Sequence, residues 1–374
     1  MQTILTRLHN QHLLRSRYQV TEKNQAFVII NRKQLINFCS NDYLGLTDHP
    51  AVKRAFAQGA ALCGSGSGSS SLVSGFTRSH AKLEHAFADY LQRERALLFN
   101  SGYHANLGVI SSLADRHSTI IADKYVHASL IDGIILSRAQ HYRYLHNNML
   151  HAAELAQKYP PSLLITENVF SMHGDVADIQ TLALLSKQHH ALLIVDNAHG
   201  FGVIDNTQND IDCLITPLGK AAASFGAIVS GEQALMEVIM QRARTYRYST
   251  ALPPAICHAS LQTLKMIQTD GWRRDKLAFL IRVFLQHAEK QQLPLLSTDA
   301  TPIKSIIVGN NKKVLALQRK LLANGFFVAC IRPPTIPAAQ ACLRISITVH
   351  HHEKQIITLI QLIKALMEQH AETH

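Results

Sequence analysis

Lys220 lies in Thr216-Pro217-Leu218-Gly219-Lys220-Ala221-Ala222, at the end of a short apolar run and between small residues. Upstream, Ile194-Val195-Asp196-Asn197-Ala198-His199-Gly200 reads as a buried strand that delivers an aspartate and then a histidine. A lone lysine beside a glycine means little. A lysine in a cramped, uncharged setting, with an aspartate at a strand end upstream, has the parts of a pyridoxal phosphate site. The amine forms the Schiff base, and the carboxylate keeps the pyridine nitrogen protonated so that the ring can act as an electron sink.

Other residues could join that chemistry. Asn100-Ser101-Gly102-Tyr103 follows a buried-looking strand and opens a helix. Free backbone N–H groups and the positive end of the helix dipole converge there, as a phosphate requires. Gly64-Ser65-Gly66-Ser67-Gly68 looks like a nucleotide loop but fits neither G-x-G-x-x-G nor the P-loop lysine pattern, which argues against a dinucleotide. His127, in Val126-His127-Ala128-Ser129-Leu130, reads either as a ring stacked on a cofactor or as a helix-capping or surface histidine. Arg332 and Arg344 sit in apolar, strand-like settings, where an arginine pairs with a substrate carboxylate or with a structural acid. His350-His351-His352 suggests metal ligation, but consecutive side chains point in different directions, and no metal is expected.

The elements that must position these groups alternate between two periods. Apolar runs at 96–99, 119–122, 162–165 and 191–195 read as buried strands, with helices between them, for example around 103–113 and 179–189. That alternation predicts an α/β fold with a mostly parallel sheet covered on both faces, functional groups gathering at the carboxyl ends of its strands. Residues 1–45 read as an opening amphipathic helix with Leu5, Leu8, Leu13 and Leu14, then a strand pair at 26–30 and 34–38 turned at Asn31-Arg32. Residues 46–250 read as a large cofactor-binding domain. Residues 251–374 read as a smaller α+β domain: a long helical stretch to about 288, strands at 305–308, 326–331 and 343–348, and a closing helix from about 353.

Composition narrows the function classes. The chain has 374 residues, 47% hydrophobic and 17% charged, and no uncharged stretch approaches the ~20 apolar residues of a membrane span. No secretion signal is expected at Met1-Gln2-Thr3-Ile4-Leu5. The six cysteines are scattered without C-x-x-C, which suits reduced thiols in a cytoplasm. The net charge of +11 raises nucleic-acid binding, but the basic residues are dispersed and form no block, so no nucleic-acid partner is expected.

Taken in order, several segments resemble the α-oxoamine synthases, pyridoxal phosphate enzymes of aminotransferase fold type I. They are Ser40-Asn41-Asp42-Tyr43-Leu44-Gly45-Leu46, Leu72-Val73-Ser74-Gly75-Phe76 with His80 and Leu83-Glu84, and residues 96–106. Glu167-Asn168-Val169-Phe170-Ser171-Met172, residues 196–200, Gly219-Lys220 and Tyr248-Ser249-Thr250 continue the series. The resemblance implies roles. Lys220 carries the Schiff base and later moves a proton, Asp196 bonds the pyridine nitrogen, and His127 stacks on the ring and meets the substrate. His199 bonds the phenolic oxygen with Ser171 nearby, and Gly102 and Tyr103 contact the phosphate. Arg15 and Thr335 touch the substrate, and Arg344 grips the amino-acid carboxylate. Ser249 and Thr250 reach a neighbouring subunit's phosphate, which implies a homodimer with shared sites.

Ile331-Arg332-Pro333-Pro334-Thr335-Ile336-Pro337 and Leu343-Arg344-Ile345 are similar to the biotin-pathway branch of that family. This implies decarboxylating condensation of L-alanine with a pimeloyl thioester, on coenzyme A or an acyl carrier protein. An acidic carrier would dock favourably on a basic rim. Sibling activities, such as glycine C-acetyltransferase and 5-aminolaevulinate synthase, share Lys220, Asp196 and His127, and a pyridoxal phosphate-binding protein without synthase activity is a remoter alternative. The chain also departs from the family pattern. Pro217 stands where a phosphate-binding threonine is usual, with Thr216 one residue earlier. Ala222-Ala223 replaces a Phe-Gly pair, His173 an aspartate, and Asn197 a commonly acidic residue.

Overall fold

The computed structural model describes residues 1–204 and 210–371. It forms two compact units, one of Met1–Gly45, Ser171–Asp175 and Trp272–His374, the other of Leu46–Phe170 and Val176–Gly271. The first unit opens with α1 (Gln2–Asn10), β1 (Val20–Asn24), β2 (Phe27–Ile30) and β3 (Lys33–Asn37). The opening helix stops short of Leu13 and Leu14, because His12 takes a φ of 55° that a right-handed helix cannot contain. The expected turn is present, with Asn31 and Arg32 both at positive φ, the geometry that matches the twist of a tight hairpin.

The second unit carries α2 (Pro50–Cys63), α3 (Arg78–Tyr90), β4 (Arg95–Phe99), α4 (Gly102–Leu113), β5 (Thr119–Asp123) and α5 (Ala128–Ser137). It continues with β6 (Gln140–Tyr144), α6 (Met149–Lys158), β7 (Leu163–Glu167), α7 (Ile179–Gln188), β8 (Leu192–Asp196), β9 (Cys213–Pro217) and β10 (Ala227–Gly231). Helices α8 (Gln233–Arg242), α9 (Arg244–Arg247) and α10 (Pro254–Thr269) complete it. Its seven strands lie in the order β4-β10-β9-β8-β7-β5-β6, with β10 antiparallel to β4 and β9, and β9, β8, β7, β5 and β6 parallel. The expected mostly parallel sheet is therefore present, and both its faces are buried. Ile194 and Ile215 pack with Val109 and Ile110 of α4 and Leu130 and Ile134 of α5. Leu193, Val195 and Leu214 pack on the opposite face with α6 and α7. Strand alternation then sends Asp196 out on the α4/α5 face.

The rest of the first unit is α11 (Gly271–Lys290), from Trp272 onward, then β11 (Ile303–Gly309), α12 (Asn311–Ala323), β12 (Phe326–Phe327), β13 (Ala329–Ile331), β14 (Ala341–Ser346) and α13 (Glu353–Ala371). Two expected elements are divided. The long helix is α10 and α11, broken at Asp270, where ψ is 57° and an Asp-Gly pair favours a turn. The 326–331 strand splits at Val328, because β12 joins β3 in parallel while β13 joins β14 antiparallel in another sheet. Among the described residues no helix is long and apolar enough to cross a membrane.

The three consecutive histidines face different surroundings. His352 is exposed, and His350 lies against Gly45, whose φ is 64°. His351 is fully buried, stacked on Phe38 at 4.0 Å, with Nδ1 accepting from Thr348 N and Nε2 facing Asn37 O at 3.1 Å. Burial pushes its pKa down to about 4, so the folded ring stays neutral where the unfolded ring is protonated. Between pH 6.5 and 4 the unfolded chain thus takes up a proton that the folded chain refuses, and stability falls as pH falls. The drop is expected to approach about 3 kcal/mol, and urea midpoints at pH 7 and pH 4 should differ less in His351→Gln than in wild type.

Candidate functional site

Asp196 is the last residue of β8, and only 4% of its surface is exposed. Its Oδ2 accepts from Asn106 Nδ2 at 2.7 Å and its Oδ1 from Ala198 N at 3.0 Å. Burial raises its pKa, against the opposing pull of Asn106, His127, the Ala198 N–H and Lys220. Asn106, within α4, also donates to Ser129 Oγ at 2.8 Å. Ser129 Oγ in turn lies 2.7 Å from His127 Nδ1, and His127 caps α5 by accepting from Ser129 N. A chain of polar groups therefore runs from the buried carboxylate to the exposed imidazole. Desolvation lowers the pKa of His127; Asp196 raises it and Lys220 lowers it.

Lys220 is half-buried in the turn between β9 and β10, three residues past the end of its strand. Leu218 N→Gly226 O, Ala223 N→Lys220 O and Ser224 N→Leu218 O hold the turn. Ala223 takes a φ of 50°, a conformation that favours glycine, which gives the departure from Phe-Gly a backbone consequence. His199 is buried in the turn after β8, beside an Asn168 Nδ2→Asn197 Oδ1 bond of 2.7 Å. That bond needs only an acceptor at 197, so asparagine serves there.

The α4 N-terminus is capped by Ser101, whose Oγ accepts from His104 N. Gly102 and Tyr103 follow. The Tyr103 hydroxyl donates to Asp132, and its ring meets that of His127 edge-on at 6.4 Å. Pro217 packs so closely here that a Cβ on Gly102 would lie 2.7 Å from the Pro217 ring. Thr216 alternates to the opposite face of β9, fully buried and with its hydroxyl unpaired. The structure therefore does not bring Thr216 to the α4 N-terminus; a residue at 217 is the one that points there. Thr250 is exposed and its carbonyl accepts from Asn100 Nδ2, while the neighbouring Ser249 is half-buried.

In the first unit, buried Arg344 donates through Nε to Ser171 O at 2.7 Å, and through its terminal nitrogens to Ser346 Oγ and Asn41 Oδ1. Ser305 Oγ→Met172 O and Thr301 Oγ1→Gly174 O continue this stitching, so residues 171–174 are held by three side chains of one sheet and its entering loop. Arg15 donates to Thr335 Oγ1 at 3.4 Å, and Arg332 donates to the carbonyls of His12 and Leu14. Arg332 thus answers to backbone. Sequence reasoning missed Asn106, Ser129 and Asn41 as members of these clusters. Asn106 lies in a helix that also carries His104, Ser111 and Ser112, so nothing in the sequence set it apart.

Residues 33–363 match the family described as Aminotransferase class I and II. The 8-amino-7-oxononanoate synthase of Nitrosococcus oceani is 42% identical over 370 residues, covering 96% of this chain and 98% of that protein. The crystal structure of 8-amino-7-oxononanoate synthase from Francisella tularensis is 35% identical, with a TM-score of 0.79 over 90% of this chain and 99% of that one. Sphingomonas wittichii serine palmitoyltransferase superposes with a TM-score of 0.92 at 26% identity, over 98% of this chain and 96% of that one. The chain belongs to the aminotransferase class I and II family, in the branch of the 8-amino-7-oxononanoate synthases.

Proposed function

We propose that this chain is a pyridoxal phosphate-dependent acyltransferase of biotin biosynthesis. It condenses L-alanine with a pimeloyl thioester, on coenzyme A or a carrier protein, and releases CO2, the free thiol and 8-amino-7-oxononanoate. The observation that carries this reading is the buried Asp196 carboxylate, held by Asn106 and set among His127 and Lys220 in a chain of that family.

The residues fit the cofactor. Asp196 is a desolvated carboxylate with lone pairs left for one more N–H, so a protonated ring nitrogen is the partner that lowers the cost of its charge. The first backbone N–H groups of α4, beside Gly102, suit a phosphate. Bound there, the cofactor supplies an electron sink for the carbanion formed at alanine Cα. Lys220 supplies the anchoring amine, and its Nζ takes the Cα proton and returns one at the end. Asp196 holds the ring nitrogen in its protonated form, and His127 covers the ring. His199 and Ser171 serve the phenolic oxygen, and Arg344 binds the alanine carboxylate. Arg15 and Thr335 meet the substrate. Ser249 and Thr250 serve the phosphate of a second copy, in a cytoplasmic homodimer.

The test supplies the loaded protein with pimeloyl-coenzyme A and either L-alanine, glycine or L-serine, and reads the ketone product by mass spectrometry. Product from alanine at a rate well above the other two is expected. Product from glycine or serine alone would move the chain to a sibling activity.

A further inference from the structure

The donors and acceptors around His127 can be counted to a unique assignment. Asn106 Nδ2 carries two hydrogens and faces two acceptors, Asp196 Oδ2 at 2.7 Å and Ser129 Oγ at 2.8 Å. Turning the amide over would set its oxygen against an ionised carboxylate, so the nitrogen faces both. Ser129 Oγ therefore accepts from Asn106; because Nδ1 of His127 already accepts a backbone N–H and so bears no hydrogen, the 2.7 Å contact between them is the Ser129 hydroxyl donating to Nδ1. The same Nδ1 accepts the backbone N–H of Ser129 at 3.3 Å as the cap of α5. A ring nitrogen that accepts from two donors cannot carry a hydrogen. Asn106 and Ser129 are each 1% exposed, so water does not compete for the bonds that link Asp196, Asn106 and Ser129.

We propose that Asn106 and Ser129 are positioning residues that hold His127 neutral, with its one proton on Nε2, and so make it a hydrogen-bond donor to the substrate. Protonating the ring would cost Nδ1 the Ser129 N–H bond and would turn the Ser129 hydroxyl from donor to acceptor, leaving its proton without that partner. The groups facing the ring agree. Desolvation disfavours the charged form, Lys220 past β9 repels it, Asp196 of β8 opposes both, and Tyr103 of α4 is turned edge-on with its hydroxyl committed to Asp132. The consequence for chemistry rests on the synthase reading. A ring whose Nε2 already bears hydrogen cannot accept the Cα proton there, so that proton falls to Lys220, and His127 donates to a substrate oxygen.

The test is nitrogen NMR of the cofactor-loaded chain with 15N-labelled histidine, the His127 signals assigned from His127→Gln. Nδ1 is expected unprotonated and Nε2 protonated, and the ring is expected to stay neutral through the ordinary midpoint of about 6.5. Ser129→Ala should raise the His127 midpoint by roughly one unit, about tenfold in proton affinity, and let the Nδ1-protonated form appear. Ser129→Thr, which keeps the hydroxyl, should restore the wild-type pattern. A wild-type ring protonated on Nδ1, or a Ser129→Ala ring unchanged in tautomer and midpoint, would overturn the proposal. The predicted tautomer in a chain that makes no ketone product supports this assignment while faulting the synthase reading.

Discussion

Lys220→Ala is expected to lower kcat by about 10^4-fold, the upper end of what a positioned proton-transfer group contributes. Among the described residues, the lysine is the amine whose charge acts on both Asp196 and His127. Its turn is held by backbone bonds from Leu218, Ala223 and Ser224 that do not depend on the side chain, so these bonds survive truncation at Cβ. Circular dichroism and the thermal midpoint should match wild type, while ketone formation from L-alanine and pimeloyl-coenzyme A becomes barely measurable. Lys220→Arg should fare no better, because a guanidinium stays protonated at any working pH and cannot take a proton from Cα. A Lys220→Ala protein that kept a tenth of the wild-type rate would remove the lysine from the reaction.

The parts of the site that sequence made legible are those fixed by strand position. A buried parallel strand must be apolar throughout, so an aspartate at its end marks both the boundary and an exception needing a partner. Asp196 was readable for that reason, and so was the α4 N-terminus, where a strand gives way to Ser101 and Gly102. The polar partners were not readable. Asn106 sits mid-helix and Ser129 in a first turn, positions where asparagine and serine are ordinary, and only the packing of α4 and α5 on β8 shows that they share one chain of bonds. Polar β6, whose pattern is largely exposed, carried no hydrophobic period to find because it is a sheet edge. The division of 326–331 between two sheets was equally invisible, since strand propensity does not encode which neighbour a strand pairs with. The Pro217 question was posed by sequence and answered by the pleat: alternation along β9 puts 217, and not Thr216, beside Gly102.

Asp196→Asn separates the charge of this residue from its shape. The side chain keeps its size and one acceptor oxygen, so Ala198 N can still be satisfied and β8 retains its end. What disappears is the negative charge that, on the proposed reading, stabilises a protonated ring nitrogen. Removing a preorganised electrostatic partner of this kind typically costs about 10^2–10^3-fold, and kcat is expected to fall by that much. A second readout follows from the raised pKa of Asp196, whose leading cause is burial. As pH falls through that raised value the carboxylate takes a proton and its attraction for a cationic ring nitrogen is lost. Cofactor affinity in wild type should therefore weaken toward acid more steeply than in Asp196→Asn, which has no charge there to lose. Fluorescence titration of both proteins with pyridoxal phosphate across the acid range measures the difference. Parallel curves would mean that the carboxylate does not face the ring nitrogen, and that the fall in rate came from disturbing Asn106, the other group that position 196 holds in place.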